Sequence, residues 1–387
     1  MSWIVPENRL DDEQRWFLEN VNLNRQNIWI KGFPGSGKSV LLAYTLKKIR
    51  RDYPEADVAV VVFTHSLIKM FQAAFAEMGL VASIMTYYAF MDDDTHYDYV
   101  LTDEVQDLTP RVLNAMNSSA DHVIVAGDEN QSIYDDDPKY HEATVTPSDI
   151  RSILNTFDYE LHIIHRLSSS IISAVQQLLP STNIFTARRD MSKVGTQIRL
   201  CNGQSLEEEA KYIIKEGERA VNVGQSAAVL VPSRKLVLDI IQGLIIAKGK
   251  PKWSVTTNRW GDVDYASLNT YLSRQGIPLQ YVGNGYGKFD EDSNKITVMT
   301  YHSAKGLDFD NVFIPSLNDA LEIHHKELLS KRLFMVAITR SRNNLYLTYS
   351  IRQYHPFVRS FAANCNSIDI HSYLAGQVIR GGNVFGF

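Results

Sequence analysis

At 387 residues the chain is long for a single core and suits two domains of ordinary size. Hydrophobic residues make up 44% of it, yet no apolar run reaches the ~18 residues that a membrane helix needs, so no membrane partner is expected. A net charge of −5, from 39 basic and 44 acidic residues, argues against a protein that coats nucleic acid by bulk charge and confines any polyanion site to a local groove.

Met1 to Asp12 carry charges and no apolar h-region, so no secretory signal is expected. Two distant cysteines, Cys201 and Cys365, suit a reducing cytoplasm better than a disulfide or zinc framework. Gln14 opens an amphipathic stretch with Trp16 and Phe17. Its amide has both a donor and an acceptor and could read an adenine edge, although a glutamine on its own is more often solvated surface.

Ile28 to Ile30 read as a strand, and Val40, Leu41, Leu42, Leu46 and Ile49 as a helix. Between them lies Gly32-Phe33-Pro34-Gly35-Ser36-Gly37-Lys38-Ser39, which fits G-x-x-x-x-G-K-S/T in the strand, loop and helix context that gives the pattern its meaning. Gly32, Gly35, Ser36 and Gly37 can turn backbone N–H groups onto phosphate oxygens. Lys38 can reach the outer phosphates, and the Ser39 hydroxyl can hold Mg²⁺.

Val58 to Phe63 read as a buried parallel strand, and the stripe Leu67, Ile68, Phe71, Ala74, Phe75, Met78 as a core-facing helix capped by Gly79. A short strand from Val81 to Met85 leads into Thr86-Tyr87-Tyr88-Ala89-Phe90. Tyr99 to Leu101 form a strand ending in Asp103-Glu104-Val105-Gln106-Asp107, and the carboxyl ends of parallel strands are where doubly wound sheets place ligand chemistry. There Asp103 can hold Mg²⁺ and Glu104 can orient or deprotonate an attacking water. The bland reading, an acidic turn before a helix that starts at Thr109 and Pro110, would prevail without the glycine loop. Val123 to Val125 add a strand that ends at Gly127 and Asp128, and Asp135, Asp136, Asp137 and Pro138 break the pattern as a solvated acidic run.

The alternation resumes after about residue 158, with a strand at Leu161 to Ile164, a helix capped by Ser168 or Ser169 and running to Leu179, and a strand at Gln197 to Cys201. Ser205 and Glu208 make a capping box, so Glu207 to Glu209 read as helix-start electrostatics. Strands at Ala227 to Val231, Ile296 to Thr300, Val312 to Pro315 and Leu345 to Tyr349, with a helix from Lys235 to Lys248, complete a second sheet. The expectation is an α/β chain of two parallel-sheet domains, residues 1–158 and 159–350, with a C-terminal extension over 351–387.

Taken as an ordered set, these stretches resemble the UvrD/Rep-like helicases of superfamily 1. Gln14 matches the adenine-reading glutamine, residues 32–39 the Walker A loop, and Asp103 to Asp107 the D-E-x-Q-D motif. Phe63-Thr64-His65 and Thr86 to Phe90 match two strand-contacting motifs. Gly127-Asp128 with Gln131-Ser132-Ile133-Tyr134 match G-D-x-x-Q-S-I-Y. Arg166 matches the arginine that opens the second domain, Thr300 to Phe309 resemble T-x-H-x-x-K-G-L-E-F, and Val336 to Ser341 resemble V-A-x-T-R-A.

The resemblance implies tandem RecA-like P-loop NTPase domains with ATP and Mg²⁺ between them. It gives Lys38, Ser39, Asp103 and Glu104 to the first domain and lets Arg166 and Arg340 reach in from the second to meet transition-state charge. His165, Gly306 and Asp308 join the nucleotide contacts, and Gln131 couples the γ-phosphate to a groove for single-stranded DNA. Phe63, Thr64, Thr86, Tyr88, Tyr134 and His302 line that groove, along which the chain moves 3′ to 5′.

The sequence also departs from the pattern. His165 stands where the family has a stacking aromatic, Val40 where a stacking arginine is common, and the acidic run where basic residues flank a tryptophan. Large accessory insertions are missing after Phe90 and after Gly285. Lys248, Lys250, Lys252, Trp253, Arg259 and Trp260 match nothing in the family; the basic residues could track a backbone and the tryptophans stack bases, against a plainer role as core plugs. The glycine-rich end from Arg380 to Phe387 reads as a frayed terminus or a docking peptide. Two readings follow: a single-stranded DNA translocase or helicase, or a DNA-activated ATPase switch for a protein partner such as a nuclease in bacterial DNA repair or anti-phage defence.

Overall fold

The computed structural model describes residues 4–376 apart from 129–130, 135, 138, 183, 185–187, 190–194, 284 and 289–292, so the glycine-rich end lies outside the described residues. The chain forms two compact units, Met1–Arg166 with Thr182–Lys193, and Leu167–Ser181 with Val194–Phe387.

In the first unit, strands β1 (Ile28–Gly32), β2 (Val58–Val62), β3 (Ser83–Thr86), β4 (Tyr97–Thr102), β5 (Ala120–Gly127) and β6 (Phe157–Leu161) form a sheet in the order β3-β2-β4-β5-β1-β6. Every pairing is parallel. Its helices are α1 (Asp12–Asn20), α2 (Lys38–Asp52), α3 (His65–Met78), α4 (Tyr87–Met91), α5 (Pro110–Ser118) and α6 (Pro147–Leu154). Successive strand residues alternate between two cores. Ile28, Ile30, Val58, Val60, Leu101 and Ile124 pack with α1, α2 and α3, while Trp29, Ala59, Val61, Val100 and Val125 pack with α4, α5 and α6. A sheet covered on both faces explains the unbroken apolar runs Val58–Val62 in β2 and Val123–Ala126 in β5.

The sequence boundary near residue 160 moves. Phe157–Leu161 pairs with β1, with Gly32 opposite Leu161, and so completes the first sheet rather than opening the second. This is an edge strand, exposed or half-buried until Leu161 and fixed by the Asp158 carboxylate, which accepts from Lys31 and from Arg151 Nε. Beyond it, β7 (Ile163–Ile164) pairs with β8 (Arg188–Arg189), a return of the chain to the first unit that no local pattern signalled.

The second unit has a sheet of β9 (Gln197–Gly203), β10 (Ala227–Val231), β11 (Leu279–Tyr281), β12 (Ile296–Thr300), β13 (Phe309–Ile314), β14 (Ser341–Ser350) and β15 (Asn366–Asp369), ordered β11-β12-β10-β13-β14-β9-β15 and parallel throughout. Its helices are α7 (Ser169–Leu178), α8 (Leu206–Asn222), α9 (Arg234–Ala247), α10 (Tyr265–Arg274), α11 (Glu327–Ile338), α12 (Pro356–Arg359) and α13 (Ile370–Leu374). The last strand and helix belong to the stretch read as an extension, so residues 366–374 are part of the sheet domain.

Glu209 also corrects the sequence reading. Ser205 Oγ caps the helix by accepting from Glu208 N, while Glu208 accepts from Gln204 N instead of closing the box on Ser205, and the Glu209 carboxylate is buried and accepts from Ser316 N at 2.9 Å, Thr348 Oγ1 at 2.6 Å and Ser350 Oγ at 2.5 Å. Burial pushes its pKa up against these hydrogen bonds, so the folded state holds the proton more tightly than the unfolded chain. Stability from this group is therefore full below the ordinary glutamate value and falls as pH rises through the raised one. Glu209→Gln should flatten that slope, with urea unfolding at a series of pH values showing the variant gaining on the wild type as pH rises. Parallel curves would remove Glu209 as a source of the dependence.

Candidate nucleotide and nucleic-acid site

The loop between β1 and α2 is built by its glycines. Gly37 caps α2 at φ 86°, and Gly35 sits at φ 77° with the Arg166 backbone N–H and that of His165 both on its carbonyl. A Cβ on Gly35 would lie 2.7 Å from the Arg166 Cβ, and one on Gly32 2.3 Å from Ser36 Oγ, a buried hydroxyl without a partner among the described residues. Lys38 Nζ donates to the Gly32 carbonyl at 2.8 Å and that of Phe33 at 3.2 Å, which holds its charge over the loop.

Ser39 Oγ donates to Asp103 Oδ2 at 2.5 Å, which joins the start of α2 to the end of β4. Burial first, then the Glu104 charge, push the Asp103 carboxyl up, and Ser39 and Lys38 oppose them. A hydroxyl and a carboxylate side by side are the oxygen ligands that Mg²⁺ takes. Glu104 occupies the left-handed region at φ 58°, ψ 42°, a strain of about 1–3 kcal/mol in a non-glycine residue, held by its own N–H on Asp103 Oδ1 at 2.9 Å.

Gln106 was given no role from the sequence, though it is the glutamine of D-E-x-Q-D. Its Nε2 donates to Glu104 Oε2 at 2.5 Å and its Oε1 accepts from Asp128 N at 3.1 Å. Asp128 Oδ2 in turn accepts from Gln131 Nε2 at 3.0 Å. One polar relay therefore runs from Glu104 to Gln131, and Gly127 is needed beside it because a Cβ there would meet Gln106 Oε1 at 2.3 Å.

Gln14 sits at the third position of α1 in a reciprocal capping box. Asp11 Oδ1 accepts from Gln14 N at 2.8 Å, and Gln14 Oε1 accepts from Asp11 N at 3.1 Å. Its Nε2 is the atom a Cβ on Gly37 would strike, at 2.3 Å. The other Asp11 oxygen binds His165 Nε2 at 2.6 Å. Burial would raise the Asp11 carboxyl, but the hydrogen bonds from His165 and the Gln14 backbone outweigh it and hold it low. The D-x-x-Q spacing was the available sign of this cap. His162 meets Glu13 and Glu160, and among the described residues no cluster of three or more potential metal ligands exists.

Phe63 stacks on Tyr87 at 5.2 Å and meets Tyr134 at 4.8 Å, and Tyr87 touches Tyr88 at 4.0 Å. Thr64 and Thr86 cap α3 and α4, with their hydroxyls accepting from Leu67 N and Ala89 N at 3.3 Å. The acidic run is not simply solvated. Asp137 is buried, accepts from Tyr87 Oη at 2.5 Å and from the backbone of Lys139 and Tyr140 at 2.8 and 2.7 Å, and so folds the turn under these rings. Burial, then Asp137, push the Tyr87 hydroxyl up and keep it the donor. Lys139 Nζ lies 5.0 Å from the Tyr88 ring and 5.1 Å from that of Tyr140, which puts a cation where the sequence suggested negative charge.

In the second unit Gly306, at φ 82°, and Asp308 lie on the turn between β12 and β13, which also carries the half-buried His302. Arg340 follows α11, fully buried, with Nε on the Val336 carbonyl at 2.9 Å, Nη1 on that of Leu307 at 3.1 Å and Nη2 on Thr339 Oγ1 at 3.0 Å. Arg166, read as the opening of the second domain, belongs to the first unit, because its backbone closes on Gly35. Trp253 is only 5% exposed and packs in the core of the second unit, which removes it as a base-stacking residue, whereas Trp260 is 70% exposed.

Residues 267–352 match the UvrD-like helicase C-terminal domain family, and residues 17–136 match an AAA domain family. Over these two stretches the chain is similar to the UvrD/Rep-like helicases of superfamily 1. Among UvrD/Rep-like relatives it is 38% identical over 69 residues to the "ATP-dependent DNA helicase PcrA" of Staphylococcus aureus, covering 16% of this chain and 10% of that one. It is 34% identical over 77 residues to the "Probable DNA helicase II homolog" of Rickettsia conorii, covering 17% and 12%. These matches thus span about a tenth of the relatives' length. Two solved viral structures align more widely. An arterivirus nonstructural protein 10 helicase covers 89% of this chain and 65% of its own at TM-score 0.42 and 15% identity, and a PRRSV helicase covers 84% and 52% at 0.45 and 14%.

Proposed function

We propose that the chain is an ATPase that moves on single-stranded DNA. The observation that carries this reading is the relay in the first unit: Lys38 on the loop, Ser39 against Asp103, and Glu104 joined through Gln106 and Asp128 to Gln131. Lys38 and the loop N–H groups would bind the triphosphate, and Glu104 would take the proton of the attacking water. Ser39 and Asp103 would hold Mg²⁺, which supplies neutralisation of phosphate charge. The relay would report that step to Tyr134, three residues after Gln131, and to the rings around it, Phe63 just past β2 and Tyr88 on α4. Arg166, against Gly35, would meet phosphate from the loop's own unit, and Arg340 would be a second guanidinium that acts after giving up its present acceptors. The 3′ to 5′ direction rests on the family resemblance.

ATP turnover measured with single-stranded DNA, single-stranded RNA and duplex in parallel tests the reading, and a rate unmoved by single-stranded DNA would sink it. Displacement of streptavidin from one end of a labelled strand marks a motor. Stimulated turnover without displacement would instead mark the switch subunit, a reading favoured by the short links from α4 to β4 and from β11 to β12, where family members carry accessory domains.

The base corner predicts loose nucleotide choice. Gln14 Nε2 lies toward Gly37 while Oε1 has one of its two lone pairs engaged by Asp11 N, so the group nearest the loop is a donor, which suits the N7 acceptor common to adenine and guanine. His165, tied to Asp11, offers a smaller ring for stacking. GTP should therefore support turnover within roughly 10-fold of ATP, the reach of one neutral hydrogen bond. A preference for ATP beyond 100-fold in kcat/KM would count against this geometry.

A further inference from the structure

The stretch that matches nothing in the family ends in a rigid turn. Thr257 and Val263 form an antiparallel bridge, Asn258 N donates to the Asp262 carbonyl at 2.7 Å, and Gly261 N to that of Asn258 at 3.0 Å. Asn258 Oδ1 accepts from Trp260 N at 2.9 Å and Asp262 N at 3.1 Å, and Gly261 supplies the left-handed residue at φ 86°. The base of the turn is anchored on both sides. Gln242 exchanges two hydrogen bonds with the backbone of buried Trp253, and Asp264 caps α10.

At the tip the Trp260 ring stands in solvent with the Arg259 guanidinium 3.9 Å from its centroid. A rigid turn that presents an indole has prepaid most of the ordering cost of a contact. Apart from Pro251, Val255, Gly261 and the indole itself, the exposed residues from 250 to 262 are polar or charged, so a single ring stands where a protein interface would have a contiguous apolar centre. Its charge is basic: Lys250, Lys252 and Arg259 face one unspent acid, Asp262, since Lys248 pairs with Glu218 and Asp264 is used as a cap. The turn is also tied to the segment that carries His302. Asn258 Nδ2 reaches Tyr286 Oη at 3.4 Å, Tyr286 bridges to Gly283, and Ser303 Oγ lies 3.1 Å from where a Cβ on Gly283 would stand.

We propose that Arg259 and Trp260 form a stacking clamp on single-stranded nucleic acid, with the indole taking a base and the guanidinium the adjoining phosphate. This rests on the reading of the chain as a single-stranded DNA motor and adds a contact that belongs to the unmatched turn. Anisotropy of fluorescein-labelled dT20 with the full chain tests it. Trp260→Ala should weaken binding about 5- to 150-fold, the range for loss of one base–aromatic stack, with Trp260→Phe within about 3-fold of the wild type. Arg259→Ala should lower the slope of log K on log salt by about one. The wild-type advantage of dT20 over an abasic oligonucleotide should shrink in Trp260→Ala.

Because Trp260 is exposed, an unchanged melting temperature should accompany these effects. A wild-type chain that fails to bind dT20 overturns the clamp and the motor reading together. Wild-type binding that Trp260→Ala leaves intact overturns the clamp alone. If Trp260→Ala binds dT20 normally but changes the mass seen by light scattering, the tip is a protein contact and the clamp is again wrong.

Discussion

Replacing Glu104 by glutamine is expected to cut DNA-stimulated ATP turnover by about 10²- to 10⁴-fold while nucleotide binding stays within a few-fold of the wild type. The amide keeps the volume of the carboxylate, and its carbonyl oxygen can still accept from Gln106 Nε2 while Gln106 Oε1 keeps the Asp128 N–H, so the fold of the turn has no reason to change. What disappears is the ability to accept a proton. The left-handed backbone at Glu104, held by Asp103, fixes where the side chain starts, and this feature is untouched by the substitution. Phosphate release and binding of a fluorescent ATP analogue, measured on one preparation, separate the two effects. Turnover at the wild-type rate would remove Glu104 as the base, and loss of binding would show that the residue supports the loop instead.

The second large effect is expected from Gln106→Leu. Leucine fills the volume but breaks both ends of the relay, leaving Glu104 Oε2 without its charge-assisted donor and Asp128 N without its acceptor. A hydrogen bond to a charged group contributes about 1.5–3 kcal/mol, so turnover should fall roughly 10- to 100-fold. Stimulation by single-stranded DNA should flatten as well, because Gln131 is reached through Asp128. Gly127→Ala provides an independent approach, since its new Cβ would press on the same carboxamide. Should Gln106→Leu keep both its basal rate and its stimulation by DNA, the relay is packing and carries no signal.

Much of this site was legible because its signals are local. The glycine loop needs left-handed residues at Gly35 and Gly37, strands β2 and β5 need apolar residues on both faces, and Gly79, Thr109 and Ser168 stand where helices end or begin. What escaped depends on partners far away in sequence. Nothing near Glu209 reveals that Thr348 and Ser350 will surround it, and nothing near Asp137 announces the Tyr87 hydroxyl. A carboxylate in a charged run looks solvated until the fold supplies its donors. The edge strands β6, β11 and β15 escaped for a related reason: short or half-polar, they become strands only by pairing with a sheet that is already there. Arg166 was assigned to the wrong unit because a motif marks an order along the chain, whereas the Gly35 contact decides on which body the residue is carried.

The reciprocal cap at the start of α1 makes one carboxamide answer to two masters. A purine that asks only for a donor leaves the Asp11 amide sole owner of the Gln14 carbonyl oxygen, whereas a base that also demands an acceptor must share that oxygen with it and so weaken the latch. The solvent exchange rate of a single backbone proton, that of Asp11, then becomes a gauge of which edge of the base the protein is holding.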